Sequence, residues 1–325
     1  MSGASFLKVR LLVILILLAG VLAAAPRVAG QTPRGIYLND SGNGRIVRLV
    51  DLTGGGWATL TTQTAAAATG RQFAFQSGIA VDASGRIYFS DVANSRIVRV
   101  DSIGGGGWTA FGGRGNGRNQ FDLPTSVCVD GQGRIYVADA SNARIVRIND
   151  MTGAGWTVLG SRGAGPSQFN FPQGIAVDGA GRIYVADALN DRIVRINDMS
   201  GAGWTAFGAL GSGVRQLEFP ASVALDTSGR VYATDSSNDR VIRINDMTGA
   251  GWMTYGKIGT GPGEFSFPTG LALDGQGRLY ITDEVHRLVR VNDMSGAGWT
   301  AFGSMGNGIN QFSFPSGVFV DPSGR

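Results

Sequence analysis

The sequence predicts an all-β protein, a six-bladed β-propeller closed by its C-terminal strand, and three observations lead to this fold class. Six tryptophans mark an internal repeat, with spacings of 51, 48, 48, 48 and 47 residues. Each unit contains four short strand-like stretches, and the end of the chain supplies a strand that the first unit lacks. The tryptophans are Trp57, Trp108, Trp156, Trp204, Trp252 and Trp299.

One full unit, residues 173–208, shows how the four strands are predicted. Its strand-like stretches are GIAVD (174–178), RIYVAD (182–187), RIVRIND (192–198) and WTAFG (204–208). The turn from Asp178 to Gly181 suits a type I turn that ends on a left-handed glycine. The short connections require antiparallel neighbours. No stretch of the chain after residue 30 has helical periodicity long enough for a crossover helix.

The first two strands of each unit are apolar on both faces. Ile183 and Val185 point to one side of the strand, and Tyr184 and Ala186 point to the other. A sheet with one wet face would alternate apolar and polar residues instead. Sheets buried on both sides and repeated around an axis form a propeller. A solenoid is the alternative, but it would need polar capping repeats, which the sequence does not show.

The two ends of the chain predict how the ring closes. The first unit starts at RGIYLND (34–40), which corresponds to a second strand, and the chain finishes with SGVFVDPSGR (316–325), which corresponds to a first strand. Docking residues 317–321 beside residues 35–39 would complete six blades and remove the exposed edges that invite aggregation. The alternative is a fragment whose further repeats follow Arg325.

The N-terminal segment has the layout of a secretory signal peptide. Lys8 and Arg10 precede a run of apolar or small residues over 11–25, which is short for a membrane span. Small residues at 28–30 favour cleavage before Gln31. An uncleaved membrane anchor is the alternative.

We therefore predict a signal peptide over residues 1–30 and a propeller over residues 31–325. The protein is expected to be secreted to a periplasmic, cell-surface or extracellular location. After cleavage it is expected to be a monomer without membrane attachment.

Composition excludes several function classes. Without residues 1–30 the chain holds 25 basic and 24 acidic residues, so its charge gives no reason to expect nucleic-acid binding. Cys128 is the one cysteine, and an intrachain disulfide is therefore impossible. No metal or cofactor is expected.

The stretch FPQGIAVDGAGRIYVADALNDRIVRI (171–196) resembles an NHL repeat, the unit of a family of six-bladed propellers. The resemblance covers roughly residues 34–325. The family's second turn carries Asn-His-Arg or Asn-His-Leu, whereas this chain keeps a histidine only at His286 and loses the asparagine there. The family includes enzymes, RNA-binding domains, protein-binding domains and sensor domains, so the resemblance implies a fold without a function.

A polar cluster recurs at the second turn of the units, with Asp187, Asn190, Arg192 and Arg195 as one example. A carboxylate beside a guanidinium can make bidentate hydrogen bonds that tie down the loop. Asparagine suits a left-handed turn position. We interpret the cluster as structural, with a ring of six weak anion sites as the alternative.

The sequence offers few residues for catalysis. The resemblance implies that relatives acting as lyases use histidines from several blades, often with a metal. Here His286 is the one histidine, and together with Cys128 it cannot form a histidine-based zinc site. We predict that His286 is a turn residue and that Cys128 is a buried, inert thiol, and we assign no catalytic or metal-binding residue.

The binding surface is predicted from positions that the repeat leaves free, because loops on a rigid scaffold concentrate binding residues. The loops between second and third strands should share one face with the interblade linkers, and this face should be the more basic. A protein or a polar or acidic ligand is expected there. The candidate binding residues are Arg114, Arg118, Arg162, Arg215, Lys257, Glu284 and His286.

Three functions remain open after this reading. The first is a non-enzymatic module that binds a protein or ligand through the loop and linker face. The second is a lyase or hydrolase with its site in the central funnel. The third is a structural module for surface display.

Overall fold

The computed structural model describes residues 35–61 and 72–322, which form six four-stranded antiparallel sheets. The predicted all-β, six-bladed architecture is confirmed. The predicted signal peptide over residues 1–30 lies outside the described residues. Within the described ranges, no helix is long and apolar enough to cross a membrane.

Each blade consists of an innermost, a second, a third and an outermost strand. The innermost strands are β24 (Pro315–Val320), β4 (Gln76–Val81), β8 (Pro124–Val129), β12 (Pro172–Val177), β16 (Pro220–Leu225) and β20 (Gly270–Leu273), for blades 1 to 6 in order. The second strands are β1 (Ile36–Asp40), β5 (Ile87–Asp91), β9 (Ile135–Asp139), β13 (Ile183–Asp187), β17 (Val231–Asp235) and β21 (Leu279–Asp283).

The outer half of each blade follows in the same order. The third strands are β2 (Arg45–Leu49), β6 (Arg96–Val100), β10 (Arg144–Ile148), β14 (Arg192–Ile196), β18 (Arg240–Ile244) and β22 (Arg287–Val291). The outermost strands are β3 (Ala58–Thr61), β7 (Thr109–Gly112), β11 (Thr157–Leu159), β15 (Thr205–Phe207), β19 (Met253–Tyr255) and β23 (Thr300–Phe302). Short 3-10 helices join some second and third strands, at Ser41–Asn43, Val92–Asn94, Ala188–Asn190 and Ser236–Asn238.

The ring closes through the last strand. β24 pairs antiparallel with β1, with Val320 opposite Ile36 and Val318 opposite Leu38. Each innermost strand also packs against the innermost strands of both neighbouring blades, including β24 against β4 and β20. The predicted closure is therefore confirmed.

The hydrophobic core is divided into six clusters, one between each pair of successive blades. Ile183 and Val185 lie in the cluster between blades 3 and 4, whereas Tyr184 and Ala186 lie in the cluster between blades 4 and 5. The alternating strand positions thus serve two cores, which explains why both faces of these strands are apolar.

The tryptophan repeat has a packing role between linker and blade. Trp204 contacts Phe169 of the linker that precedes its blade, with ring centroids 5.2 Å apart. The guanidinium of Arg192 covers the same Trp204 ring at 5.6 Å, a distance suited to a cation–π contact. Equivalent Arg–Trp pairs occur in all six blades.

The predicted strand bounds need a small correction at the start of the blade. β12 begins at Pro172, two residues before the predicted start, because Pro172 pairs with Asp187 across an irregularity in the register. The turn at Asp178 agrees with the expectation, since Gly181 is left-handed with φ 83° and its N–H donates to the Asp178 carbonyl at 2.9 Å.

Replacing Val318 with alanine should destabilise the closure. Val318 is buried in the cluster between blades 6 and 1, and removing two methyl groups there should cost about 1–3 kcal/mol of unfolding free energy. Val158→Ala, on an outermost strand where the side chain is 38% exposed, is the matched control. Denaturant unfolding of both variants measures the difference, and equal stabilities would contradict the packing role of β24.

Candidate functional site

One face of the ring carries both the interblade linkers and the loops between second and third strands, and we call it the linker face. The Ala188 N–H donates to the carbonyl of Phe171 at 3.3 Å, and the Leu189 N–H donates to the carbonyl of Asn170 at 3.0 Å. These bonds join a loop of blade 4 to the linker that precedes the same blade. The prediction that both sets share a face is confirmed.

In each blade, one buried carboxylate on the linker face accepts hydrogen bonds that hold a loop and a linker in place. Asp187 is fully buried and accepts hydrogen bonds from Arg192 Nε at 2.8 Å and from Asn190 Nδ2 at 2.8 Å. Its second oxygen accepts the backbone N–H of Asn170 at 2.7 Å. The carboxylate therefore connects a second strand, a third strand, a loop and a linker.

The arginine of this cluster does not bind the carboxylate in the predicted bidentate way. Arg192 uses Nε on Asp187 and donates its two terminal nitrogens to the linker carbonyls of Ala164 at 2.6 Å and Gln168 at 2.9 Å. Arg287 is the exception, because its Nη2 also reaches the Asp283 carboxylate, at 3.0 Å. The donors that an anion site would need are engaged by linker carbonyls, which supports the structural interpretation.

Burial also affects the protonation of these carboxylates. Loss of hydration raises the pKa of Asp139, Asp187 and Asp235 above its ordinary value, while the asparagine, arginine and backbone donors act in the opposite direction. Burial also raises the pKa of Asp283, where Arg287 and backbone donors oppose it without an asparagine.

The left-handed turn position is occupied by the residue after the asparagine, not by the asparagine as predicted. Asp191 has φ 51°, and its Oδ1 accepts the N–H of Phe219 on the following linker at 3.0 Å. His286 holds the same position with φ 65°, and its Nδ1 accepts the N–H of Phe314 at 3.1 Å. The structure thus places His286 as a turn residue that contacts the next linker.

Replacing Asp187 with alanine should strongly destabilise the protein. The change leaves the Arg192 Nε, the Asn190 amide and the Asn170 N–H without their acceptor, and breaking a buried ion pair on one side costs about 3–5 kcal/mol. Glu218→Ala, at an exposed linker position, should stay within about 0.5 kcal/mol. Thermal or denaturant unfolding tests this, and a mild effect at Asp187 would show that the carboxylate does not hold the linker.

A crown of six large apolar residues surrounds the axis on the linker face, each at the end of a linker. Five of them directly precede an innermost strand, and Phe267 is separated from β20 by Pro268 and Thr269. All six have left-handed backbones, with φ between 47° and 59°. This conformation is uncommon for bulky residues and costs roughly 1–3 kcal/mol for each one, so the surrounding structure must maintain it. The crown consists of Phe75, Leu123, Phe171, Phe219, Phe267 and Phe314. Sequence reasoning did not identify it.

The crown is unevenly exposed. Phe75 is 67% and Phe314 is 55% exposed, whereas Phe219 and Phe267 are partly buried with their rings 5.7 Å apart. The His286 ring packs edge-on against Phe314 at 5.2 Å. The most exposed crown residues therefore lie at blades 1 and 2.

A cavity of about 270 Å³ opens between these exposed crown residues, and we call it the mouth cavity. It is lined by residues of blades 1, 2, 3 and 6, among them Phe75, Gln76, Val92, Glu284 and Phe314. Gln76 is 1% exposed, and neither atom of its side-chain amide has a hydrogen-bond partner in the described part of the chain.

The central channel holds a second cavity of about 270 Å³, lined by the innermost strands of all six blades. Its lining contains hydroxyl, amide and apolar groups but no Asp, Glu, His, Lys or Arg of the described residues. Cys128 is partly buried and lines this cavity, so the prediction of a buried thiol needs correction, and loss of hydration raises the pKa of the thiol. Residues 35–61 and 72–322 also contain no cluster of three or more potential metal ligands.

The predicted cationic residues are spread over the linkers. Arg162 donates to the Asn170 side chain at 3.2 Å and to the Ser141 carbonyl at 3.0 Å. Arg215 covers the Phe207 ring at 5.5 Å.

The remaining predicted residues divide between the linkers and the mouth. Arg114 and Lys257 are mostly exposed and lie 3.9 and 3.4 Å from acidic residues of their own linkers. Arg118 is exposed. Glu284 is the member of the predicted set that lines the mouth cavity.

The prediction that this face is the more basic one concerns only its charge relative to the opposite face, and its own net charge is small. In the described linkers and loops, five basic residues face six acidic ones. The acidic residues are Asp122, Asp191, Glu218, Asp239, Glu264 and Glu284. The linker face is close to neutral, so charge alone does not favour an acidic partner.

Exposed apolar side chains concentrate on this same face. Among the described residues, all eight large apolar side chains that are more than half exposed lie in linkers or in loops between second and third strands. They are Phe75, Leu189, Leu210, Val214, Ile258, Met305, Ile309 and Phe314.

Gln76→Pro should stabilise the fold. The other blades place Pro124, Pro172, Pro220, Pro268 and Pro315 at the same position after a left-handed residue. The change removes a buried amide without partners, which costs about 1–3 kcal/mol, and it also restricts the unfolded chain. Differential scanning calorimetry should show a higher melting temperature than for the wild-type protein, and a lower one would show that the amide has a structural partner.

Fold and sites together define a six-bladed propeller with an apolar, loop-built face. The NHL repeat family matches residues 121–148 and 169–196, which lie in blades 3 and 4 and the linkers before them. With the six repeated blades around them, these matches show that the chain is an NHL-repeat β-propeller. No curated protein matches the chain by sequence.

Several solved structures share this fold. A chain of the nidogen/laminin complex has 18% identity and a TM-score of 0.66, covering 87% of this chain and 97% of that one. A streptogramin B lyase has 17% identity and a TM-score of 0.53, covering 72% and 70%. A catalytically inactive histidine-to-alanine variant of virginiamycin B lyase from Staphylococcus aureus, with quinupristin, has 19% identity and a TM-score of 0.52, covering 72% of each chain. At these identities the likeness concerns the fold alone.

Proposed function

We propose that this chain is a non-enzymatic binding module that recognises a protein partner through its linker face. The proposal rests on the location of the eight most exposed large apolar side chains of the described residues, all on that face. Exposed apolar surface costs solubility, and its concentration on one face is typical of an interaction site. Loops on a rigid scaffold are also the usual place for binding residues.

The alternative of a lyase or hydrolase has less support from the site. General acid–base catalysis needs a titratable side chain within reach of the substrate. The lining of the channel cavity offers Cys128 alone, with its pKa raised by burial. A lyase of similar fold is catalytically inactive as a histidine-to-alanine variant, whereas His286 here accepts a backbone N–H and packs on Phe314.

The partner should be held mainly by apolar contacts, with charges contributing orientation and association rate. Because the linker face is nearly neutral, apolar contacts should contribute more to the affinity than charges do. Arg114, Arg118 and Lys257 are exposed and can flank such a contact with polar groups of a partner. Export through the segment before Gln31 is part of the proposal and places the partner outside the cytoplasm.

A pair of triple variants tests the proposal. Leu210→Ser, Ile258→Ser and Met305→Ser together remove apolar surface from the linker face, at side chains 66–75% exposed. Val50→Ser, Val158→Ser and Met253→Ser together are the control away from that face, at side chains 37–38% exposed. We expect the first variant to lose partner proteins that the wild type captures from culture supernatant or envelope fractions, quantified by mass spectrometry.

The control variant should retain the captured proteins. Both variants should remain folded, because exposed substitutions change stability by about 0.5 kcal/mol or less each. Loss of capture in the control, with retention in the linker-face variant, would show that the opposite side of the ring binds.

A further inference from the structure

In blades 4, 5 and 6, the left-handed turn residue holds the crown residue of the following linker. The Asp191 Oδ1 accepts the Phe219 N–H at 3.0 Å, and the Asp239 Oδ1 accepts the Phe267 N–H at 2.8 Å. His286 makes the same contact through its Nδ1, at 3.1 Å. The repeat itself therefore shows that a carboxylate fits against the N–H of a crown residue.

Blade 2 lacks this acceptor. Ser95 occupies the equivalent position with φ 53°, but its shorter side chain makes no hydrogen bond to the Leu123 N–H. Within residues 35–61 and 72–322, the Leu123 N–H has no other hydrogen-bond acceptor. A backbone N–H without a protein partner has to be satisfied by water or by a ligand.

A cavity of about 270 Å³ lies where the acceptor is missing, and we call it the blade 2–3 pocket. Ser95 and Leu123 both line it, so a group that enters the pocket comes next to the position that Asp191 fills in blade 4. Val92 and Ala93 of the blade 2 loop add apolar surface to the wall.

The charges at the blade 2–3 pocket favour an anionic group. Arg114 lines the pocket with its side chain 83% exposed, and its Nε lies 3.9 Å from Asp122, too far for a hydrogen bond. The terminal nitrogens of Arg114 bond no group in the described ranges. Arg162 donates to the carbonyl of Ser141, another lining residue, at 3.0 Å. Two guanidinium groups thus stand at the pocket against the one carboxylate of Asp122.

We propose that the blade 2–3 pocket binds an acidic side chain of the protein partner. Its carboxylate would accept the Leu123 N–H and would pair with the Arg114 guanidinium, while Val92 and Ala93 would contact its methylene groups. A carboxylate from outside thus takes the place that Asp191 fills from within in blade 4. This inference rests on the proposed function and adds one polar anchor to the apolar contact.

The donors at the pocket select a carboxylate over a neutral amide. A carboxylate has two acceptor oxygens, one for the Leu123 N–H and one for Arg114, and hydrogen bonds to an ionised acceptor are the stronger kind. A side-chain amide offers one oxygen, and its NH₂ group would face another donor.

Three small probes test the proposal by NMR on the full chain. N-acetylglutamate N-methylamide carries a side-chain carboxylate, N-acetylglutamine N-methylamide carries the matching amide, and N-acetylglycine carries a chain-terminal carboxylate. We expect the glutamate probe to move the Leu123 amide proton downfield in a saturable titration. The Phe219 amide, which Asp191 already bonds, should stay in place. The glutamine probe should bind about tenfold more weakly, because it loses a charge-assisted hydrogen bond.

Three variants separate the contributions of the pocket. Ser95→Asp supplies the carboxylate from within, as in blades 4 and 5, so it should abolish binding of the glutamate probe and move the Leu123 amide proton downfield without any probe. Arg114→Gln should weaken the glutamate probe about two- to fivefold, the size of an exposed ion pair. Arg118→Gln is the control, because this exposed arginine of the same linker is not among the lining residues, and it should bind the probe as wild type does.

The contrary outcomes are equally specific. The pocket is not a carboxylate site if the glutamate probe leaves the Leu123 amide unmoved at about 100 mM, where even very weak ligands register. The same holds if the glutamine probe binds equally well, or if Ser95→Asp keeps the saturable shift. Tighter binding of N-acetylglycine than of the glutamate probe would make the assignment to a side chain wrong and would point to a chain end.

The failure of this inference differs from the failure of the proposed function. If the probes do not bind but partner capture still depends on Leu210, Ile258 and Met305, the binding function stands without this pocket. If the glutamate probe binds as expected while capture is independent of the linker face, the pocket is a site but the proposed binding face is wrong.

Discussion

The linker face depends on one repeated interaction, the buried aspartate at the end of each second strand. Asp187 accepts from a third-strand arginine, from a loop asparagine and from a linker N–H. The same Arg192 also donates hydrogen bonds to two linker carbonyls, and its guanidinium lies over the Trp204 ring. A buried charge is tolerated only when its hydrogen-bonding capacity is met. The linker must therefore follow one path across the blade, and its free side chains are held at defined positions on the surface.

This arrangement separates the residues that build the ring from those that can recognise a partner. Backbone atoms of the linkers satisfy the Asp–Arg cluster, so linker side chains such as Leu210, Ile258 and Met305 are unconstrained by it. The turn residues beside this cluster fix three of the crown residues, because Asp191, Asp239 and His286 accept the N–H groups of Phe219, Phe267 and Phe314. Apolar side chains can then stand exposed on a backbone whose polar groups are satisfied.

Periodicity explains which features the sequence predicted. Blade number, closure by β24 and the structural role of Asp187 follow from repetition, because a pattern present in every unit reports on the scaffold. Periodicity could not predict the crown. Phe171 before Pro172 belongs to the same repeat, and a repeated large apolar residue is normally interpreted as part of the core. The exposure of Phe75 and Phe314 accompanies a left-handed backbone, which a pattern of residue types does not report. Apart from Arg287, the bidentate pairing was wrong, because linker carbonyls compete for the arginine. The left-handed position was assigned one residue too early, at Asn190, because local turn preference ignores the bonds of Asn190 to Asp187 and Gly163.

A ring of six similar blades presents similar surfaces around its axis, so selectivity must come from a break in the symmetry. The breaks at Gln76 and Glu284 lie beside blade 1, where β24 from the end of the chain completes the sheet. Ser41 and Ser316 of that blade both donate to the Gln76 carbonyl, which joins the closing strand to blade 2. A ligand that fills the mouth cavity would contact blades 1, 2, 3 and 6 together and would bind only the closed ring. Binding to the native state alone adds stability, so recognition at the mouth cavity would reinforce the contact that the last strand makes.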